Sequence, residues 1–476
     1  MAKHPLGPDP RARWLIFLAL VVLAVAWRMP YAATKPIVQV DEVQYSLPTV
    51  NRMLAGDIPF YISGTNYGAP VEQAFAAVLF RFFGESAAGF RFPTVLLGGI
   101  AIGITFLALR RVAGDRPALG IALLLALANS SVARYTTFSH GSYGTLLVLV
   151  GGIQLATLWT DQKRTFARWL TLGVLMGAGM YALKLAIFQS LASLAWLWLR
   201  SGYCRRLRDR LADAGLWQRM RAGAFILALG MTALAPVLYR YLTRRATYVI
   251  SPWEKGLVIT AAFLCAAGAV IVLPTLCAPR LREWTAAMCC GALLVLIPLP
   301  AELWFQTVEK PRLTAAGIEP YAEASYSFKH LHQWPNQARL MMQGVFPALL
   351  IGRWNEVRGF EETAALGWKA LVAIVVSGAV ACIGIHRWRQ GRWRPDLQSA
   401  DFLFIAPFLF TLAVLFPSWS LHSESSYRYL LPFLPGLGLL AYRCLQDRIA
   451  AHPRLACSLI GLYAAYSAFD CFRHIA

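Results

Sequence analysis

Phe90-Arg-Phe-Pro-Thr-Val-Leu-Leu-Gly-Gly-Ile-Ala-Ile-Gly-Ile-Thr-Phe-Leu-Ala-Leu109 is an apolar run in which Arg91 is the one charge. A helix of about 20 such residues reaches across the hydrocarbon core of a bilayer. Residues 14–27 and 402–418 read the same way. The rest of the chain agrees: of 476 residues, 58% are apolar and only 14% are charged. Soluble globular proteins carry about 25% charged residues, so this composition excludes a soluble fold. The fold class expected is all-α, a polytopic membrane protein.

Working outward from that run, spans are expected near 14–30, 90–109, 118–131, 142–160, 169–183, 185–199, 223–242, 256–276, 284–305, 368–385, 402–421, 429–444 and 455–471, about 13 transmembrane helices in a single membrane domain, 1–476. Lys184 splits one long apolar stretch into two short spans, 169–183 and 185–199. The charges decide for two: seven arginines between Arg200 and Arg221 are then cytoplasmic, as the positive-inside rule requires. The loops 110–116, 161–168, 280–283, 386–394 and 443–454, all rich in Arg, fall on the same side. The net charge of +21 is thereby spent on orientation rather than on nucleic acid. The N-terminus, with Lys3, Arg11 and Arg13, is expected in the cytoplasm. The first span lacks a small-residue cleavage site and is expected to be retained.

Two external regions remain. The first loop, 31–89, carries Val43, Leu47, Val50 and Leu54 at helical spacing, closed by Gly56. It then carries Val71, Ala74, Phe75, Val78, Leu79, Phe82 and Phe83, closed by Gly84. Both stripes predict amphipathic helices, lying on the membrane surface or packed on other protein. The second loop, 306–367, contains Glu309, Arg312, His330 and His332 among other polar residues. The nine cysteines show no metal spacing, and those in apolar runs read as small hydrophobes. The histidines form no metal pattern, so no metal and no cofactor are expected.

Asp41 and Glu42 begin the first surface helix directly after a span. A carboxylate there is stabilised by the helix start, or acts as a general base on a hydroxyl or amine. Lys184 sits in an apolar run, where a charge costs about 2.5–3.5 kcal/mol and usually has a partner or a task. A snorkelling lysine is the other reading. Arg134, His140, Arg240 and Arg428 fall at external span ends, where an arginine also contacts lipid headgroups.

Asp41-Glu42, Met53-Leu-Ala-Gly-Asp57, Tyr67-Gly68, Pro70, Phe82-Phe-Gly84 and Arg91-Phe-Pro93 together resemble the first external loop of the GT-C glycosyltransferases. The resemblance is nearest to the protein-mannosyltransferase and aminoarabinose-transferase superfamily. It implies a GT-C-like fold and transfer of a sugar from a polyprenyl-phosphate donor, with inversion, to a lipid, glycan or protein acceptor at the periplasmic face of the inner membrane. In that scheme Asp41 is the catalytic base and Glu42 its acidic partner. Tyr427-Arg-Tyr-Leu-Leu-Pro432 resembles a step common in the superfamily and ranks Arg428 above Arg240.

The chain departs from the pattern at two motif positions, and no carboxy-terminal soluble domain is expected, which removes one source of acceptor specificity. Ala69-Pro70 stands where many relatives have Lys-Pro, so the donor phosphate must find other cations: Lys184, Arg428, Arg134 or His140. No acid opens the fourth span, Ser139-His-Gly-Ser-Tyr-Gly144. Glu72 and Tyr67 are the candidates for sugar or acceptor contact, Glu72 reading equally well as a polar-face residue. The chain is expected to act as a monomer among membrane lipids. The competing readings are a lipid-linked saccharide flippase or transporter, an O-antigen polymerase or ligase, and a non-catalytic scaffold. The first would need repeated halves with midplane charges, and the second would leave Asp41–Glu42 without a role.

Overall fold

The computed structural model describes residues 10–37, 41–65, 67–139, 141–201, 281–317, parts of 375–390, 399–418 and 424–475. Among these residues the structure is helical, with no strand. The spans expected near 223–242 and 256–276, and most of the 306–367 loop, lie outside the described residues.

The N-terminal half runs α1 (Pro10–Thr34), a π-turn (Glu42–Ser46) continuing into α2 (Leu47–Leu54), α3 (Val71–Phe83), α4 (Ala87–Ala113), α5 (Asp115–Ala126), α6 (Ser130–Tyr135), α7 (Tyr143–Gln162), α8 (Phe166–Ala182) and α9 (Ala186–Arg200). The C-terminal half contains α10 (Leu281–Leu296), α11 (Leu299–Trp304), a second π-turn (Phe305–Glu309), α12 (Lys310–Ala315), α13 (Phe402–Ser418), a 3-10 segment (Glu424–Phe433), α14 (Leu434–Ala451) and α15 (Pro453–Ile475). Among the described residues, four helices are long and apolar enough to cross a membrane: Arg11–Thr34, Ala87–Ala113, Tyr143–Gln162 and Thr285–Ala315.

The decisive run sits at the centre of the bundle. α4 packs along α1 on one side and α7 on the other. Small residues permit the approach, as expected where lipid supplies no hydrophobic drive between helices. A Cβ at Gly99 would stand 3.1 Å from the Val21 carbonyl oxygen, and one at Gly151 would stand 2.9 Å from Ile104.

The structure also redraws two spans. The expected helix 118–131 stops at Ala126, because the buried Arg28 guanidinium of α1 donates to the carbonyls of Leu125 (2.9 Å) and Ala126 (2.9 Å). Those carbonyls end the helix on a cation. Asn129 then starts α6, its side chain accepting from Val132 N at 3.1 Å. The span expected from Tyr429 opens instead as the 3-10 segment and becomes α-helical at Leu434. The break at Lys184 is as read from the sequence: α8 ends at Ala182 and α9 starts at Ala186.

Both surface helices of the first loop are present and end on left-handed glycines, Gly56 (φ +86°) and Gly84 (φ +79°). α3 has two apolar faces. Ala76, Ala77 and Phe80 pack with Val50 of α2 and Phe90 of α4. Val71, Phe75, Val78 and Phe82 are exposed in one stripe on the other face.

Candidate functional site

Glu42 is the best-anchored carboxylate of the first loop. It is fully buried and faces the equally buried Arg91. Arg91 Nε and Nη2 donate to the two Glu42 oxygens at 2.9 and 2.7 Å, a bidentate fork. The other Arg91 hydrogens go to the carbonyls of Ala32 (3.1 Å), Lys35 (2.6 Å) and Pro36 (2.9 Å). One guanidinium therefore spends its five donors on the chain just before Asp41 and on the residue just after it. The Phe138 ring covers it, 4.3 Å from centroid to Cζ. This clip joins the acidic pair to the Arg91-Phe-Pro93 entry of α4.

Asp41 sits at the start of the π-turn with helical φ and ψ and is half-buried; its side chain makes no capping bond to the helix. The sequence left open whether this carboxylate is a helix cap, and the geometry answers that it is not. π-turns within helices recur at functional sites.

The opening of the fourth span is gripped from several sides. Ser139 N donates to Glu42 Oε1 (3.1 Å), and Ser139 O accepts from Ser46 Oγ (2.8 Å). Gln73 Nε2 donates to both Ser46 Oγ and Ser139 Oγ. Ser142 Oγ donates to Ala69 O at 2.5 Å. Glu72 completes the grip: Thr94 Oγ1 donates to it at 2.5 Å and Thr145 N at 3.0 Å, with a further backbone bond from Gly144. Glu72 thus brings an acid in space to the point where the sequence lacks one. It does so as the cap of α7, 1% exposed, rather than at a surface that a sugar reaches.

Burial pushes the Glu72 carboxyl up to about 7 from an ordinary 4.5, against the Thr94, Thr145 and Gly144 bonds that pull it down. The sign follows directly. An acid whose folded pKa is raised contributes its full stability below the unfolded value and loses it as pH rises through the folded one. Glu72→Gln is therefore expected to gain stability relative to the native protein between pH 4.5 and 7, by up to about 3 kcal/mol. Melting curves of both proteins at pH 5 and pH 8 check this; a difference that does not change with pH contradicts it.

The remaining candidates gather partly. The Tyr67 ring packs on a core cluster that holds Tyr143, Leu183, Leu185 and Leu430, so the flanks of Lys184 and of the Arg428 segment meet beside it. Lys184 is half-buried in the turn between α8 and α9. The Arg134 guanidinium lies over the Phe138 ring, 5.8 Å from its centroid. Arg428 belongs to the 3-10 segment, and its side chain lies outside what the structure describes, as does His140 altogether. Among the described residues no group of three or more His, Cys, Asp and Glu side chains is placed to hold a metal ion.

Residues 68–234 match the family described as dolichyl-phosphate-mannose-protein mannosyltransferase. This match bears out the GT-C resemblance. An oligosaccharyltransferase from Archaeoglobus fulgidus, solved in the apo form, is similar to the chain at 13% identity, covering 97% of this chain and 56% of its own, with a TM-score of 0.46. ArnT from Cupriavidus metallidurans, solved bound to undecaprenyl phosphate, is similar at 14% identity, covering 93% of this chain and 79% of its own, with a TM-score of 0.32. The chain spans about half the length of the archaeal protein. No curated protein matches the sequence.

The mannosyltransferase match opens at Gly68, whose φ of +86° is a backbone conformation that favours glycine. It covers α3, α4 and the gripped turn, and so includes Arg91 and Glu72. In the sequence Arg91 stands out only as part of the Arg91-Phe-Pro93 entry, and its Glu42 partner is seen only in the structure. The one signal available is its position as a lone charge in an apolar run, which in a membrane calls for a partner.

Proposed function

We propose that the chain is a membrane glycosyltransferase that moves a sugar from a polyprenyl-phosphate donor to an acceptor at the external, periplasmic face of the inner membrane. Asp41 is the general base. It takes the proton of an acceptor O–H or N–H as that atom bonds to the anomeric carbon. The bond from that carbon to the phosphate oxygen breaks, the configuration inverts and polyprenyl phosphate leaves. The leaving group is already a stable anion, so no strong acid is required.

The observation that carries this reading is the division of labour in the acidic pair. Glu42 is consumed by Arg91, while Asp41, one residue earlier, is half-buried and is not spent on capping the helix. Glu42 is thus the anchor and Asp41 the reactive group. The family match over 68–234 supports the reaction class. The GT-C-like membrane architecture and the thirteen spans belong to the same proposal.

The donor phosphate is assigned to Lys184 and Arg428, with Arg134 and His140 as further cations and Tyr67 beside them for the sugar or acceptor. Support comes from the residue that replaced the expected lysine: Ala69 N donates to Ala182 O at 3.4 Å, two residues before Lys184. Lys184→Ala and Arg428→Ala are each expected to raise the donor KM about tenfold or more, the weight of one charge-assisted hydrogen bond. Steady-state kinetics against donor concentration test this. An unchanged KM in both variants moves the phosphate site elsewhere.

A further inference from the structure

The helix that begins at Asp41 is held at its far end by a second, half-buried ion pair, to a part of the chain more than 250 residues away. Arg52, in the last turn of α2, donates from Nη1 to Glu309 Oε1 at 2.6 Å and from Nη2 to Oε2 at 3.4 Å. Its Nε donates to Asp57 Oδ2 at 2.8 Å, and Nη1 also reaches Ser63 Oγ at 3.3 Å. Glu309 closes the second π-turn and is only 3% exposed. Arg312 completes the group, 3.2 Å from Asp57 and 3.8 Å from Glu309. Two cations and two anions balance, so the cluster is not built to hold a further ion.

The packing around the cluster ties the same two parts. Phe60 meets Trp304 and Tyr61 meets Phe305, with ring centroids 5.6 and 6.2 Å apart. The Tyr181 hydroxyl donates to the Phe60 carbonyl. The segment after α2 is therefore seated between the end of α8 and the helix that leads into the second external region.

We infer that Arg52 and Glu309 are a positioning pair that sets the angle of the Asp41 helix against the root of the 306–367 region, and so aims the base at its acceptor. The inference rests on the reading of Asp41 as the base. Arg91 fixes the helix at Asp41, which leaves rotation about that end. The eleven residue steps from Asp41 to Arg52 span about 16 Å. A swing of about 3 Å at Arg52 then turns the Asp41 end by about 10°, the tolerance within which a catalytic group must be held. Donor binding by Lys184 and Arg428 does not pass through this pair.

The test is kinetics on the purified full-length protein with Arg52→Gln, Glu309→Gln, the double variant and Arg52→Lys. Each Gln single variant is expected to lower kcat about 10–100-fold, the effect of misplacing a reacting group, with donor KM within about twofold. Arg52→Lys is expected to fall between them and the native protein. The double variant is expected to match the worse single variant, because residues acting as one unit are not additive. Effects that multiply, a change in donor KM alone, or an unchanged kcat would overturn the pair. If the native protein transfers no sugar, the glycosyltransferase reading fails first, and amide exchange judges the clamp by itself. Arg52→Gln is then expected to speed exchange over residues 41–54 about tenfold while 143–162 stay as they were. Unchanged exchange over 41–54 would overturn the inference in that case too.

Discussion

Asp41→Asn is expected to abolish sugar transfer, with kcat down by at least the 10²–10⁴-fold that a positioned general base contributes. The protein should still express and melt as the native form does. Both halves of that expectation come from the geometry. The amide has the shape of the carboxylate but cannot take the acceptor's proton. The Asp41 side chain makes no capping bond to its helix, so the amide removes no helix cap. Glu42→Gln should behave in the opposite sense, losing stability before chemistry, because both Glu42 oxygens accept from Arg91 and one also accepts from Ser139 N. Purified Asp41→Asn with full activity would sink the mechanism.

Arg91→Ala carries the largest expected effect on folding. Removing one partner of a buried ion pair typically costs about 3–5 kcal/mol, since the other charge is left without compensation. Here the loss is compounded, because the carbonyls of Ala32, Lys35 and Pro36 lose their donors together with Glu42. The expected result is a protein that melts far below the native form or is not recovered as a monodisperse species. Arg91→Lys should recover only part of the loss, since an ammonium offers three donors where the fork supplies five. Thermal melts in one detergent check both variants. An Arg91→Ala protein that melts with the native one would show that the clip does not hold the loop entry.

How much of this was legible in the sequence follows from the range over which each signal acts. Gly56 and Gly84 stop helices through their own φ, so the ends of α2 and α3 could be read locally. The split at Lys184 came from charge counting along the chain. Arg28 was invisible by that method: it ends α5 by reaching across from α1, and no local pattern in 118–131 records its arrival. The same holds within the site. Asp41–Glu42 and Arg91-Phe-Pro93 were each noticed as separate motifs, yet their shared ion pair exists only once the second span folds back against the first. Glu72 was noticed for its place after the Tyr67 turn, but its burial follows from α3 lying against Thr94 and the start of α7. Arg52 and Glu309 attracted no attention as a pair because each, taken alone, is an ordinary charged residue of an external loop.

These pieces make the first external loop a rigid mount rather than a mobile cover. Arg91 holds it to α4, Glu72 and Gln73 hold it to the head of α7, and Arg52 holds it to the Glu309 turn. Asp41 stands on that mount at the start of the π-turn.

The central claim, transfer from a polyprenyl-phosphate sugar, is tested most directly by mass spectrometry of envelope glycolipids and glycoproteins from cells with and without the gene. The prediction is that one envelope molecule loses the mass of a single sugar and that its polyprenyl-phosphate donor accumulates, with the Asp41→Asn gene failing to reverse either change. Identical profiles in the two strains, with no donor accumulating, would contradict it.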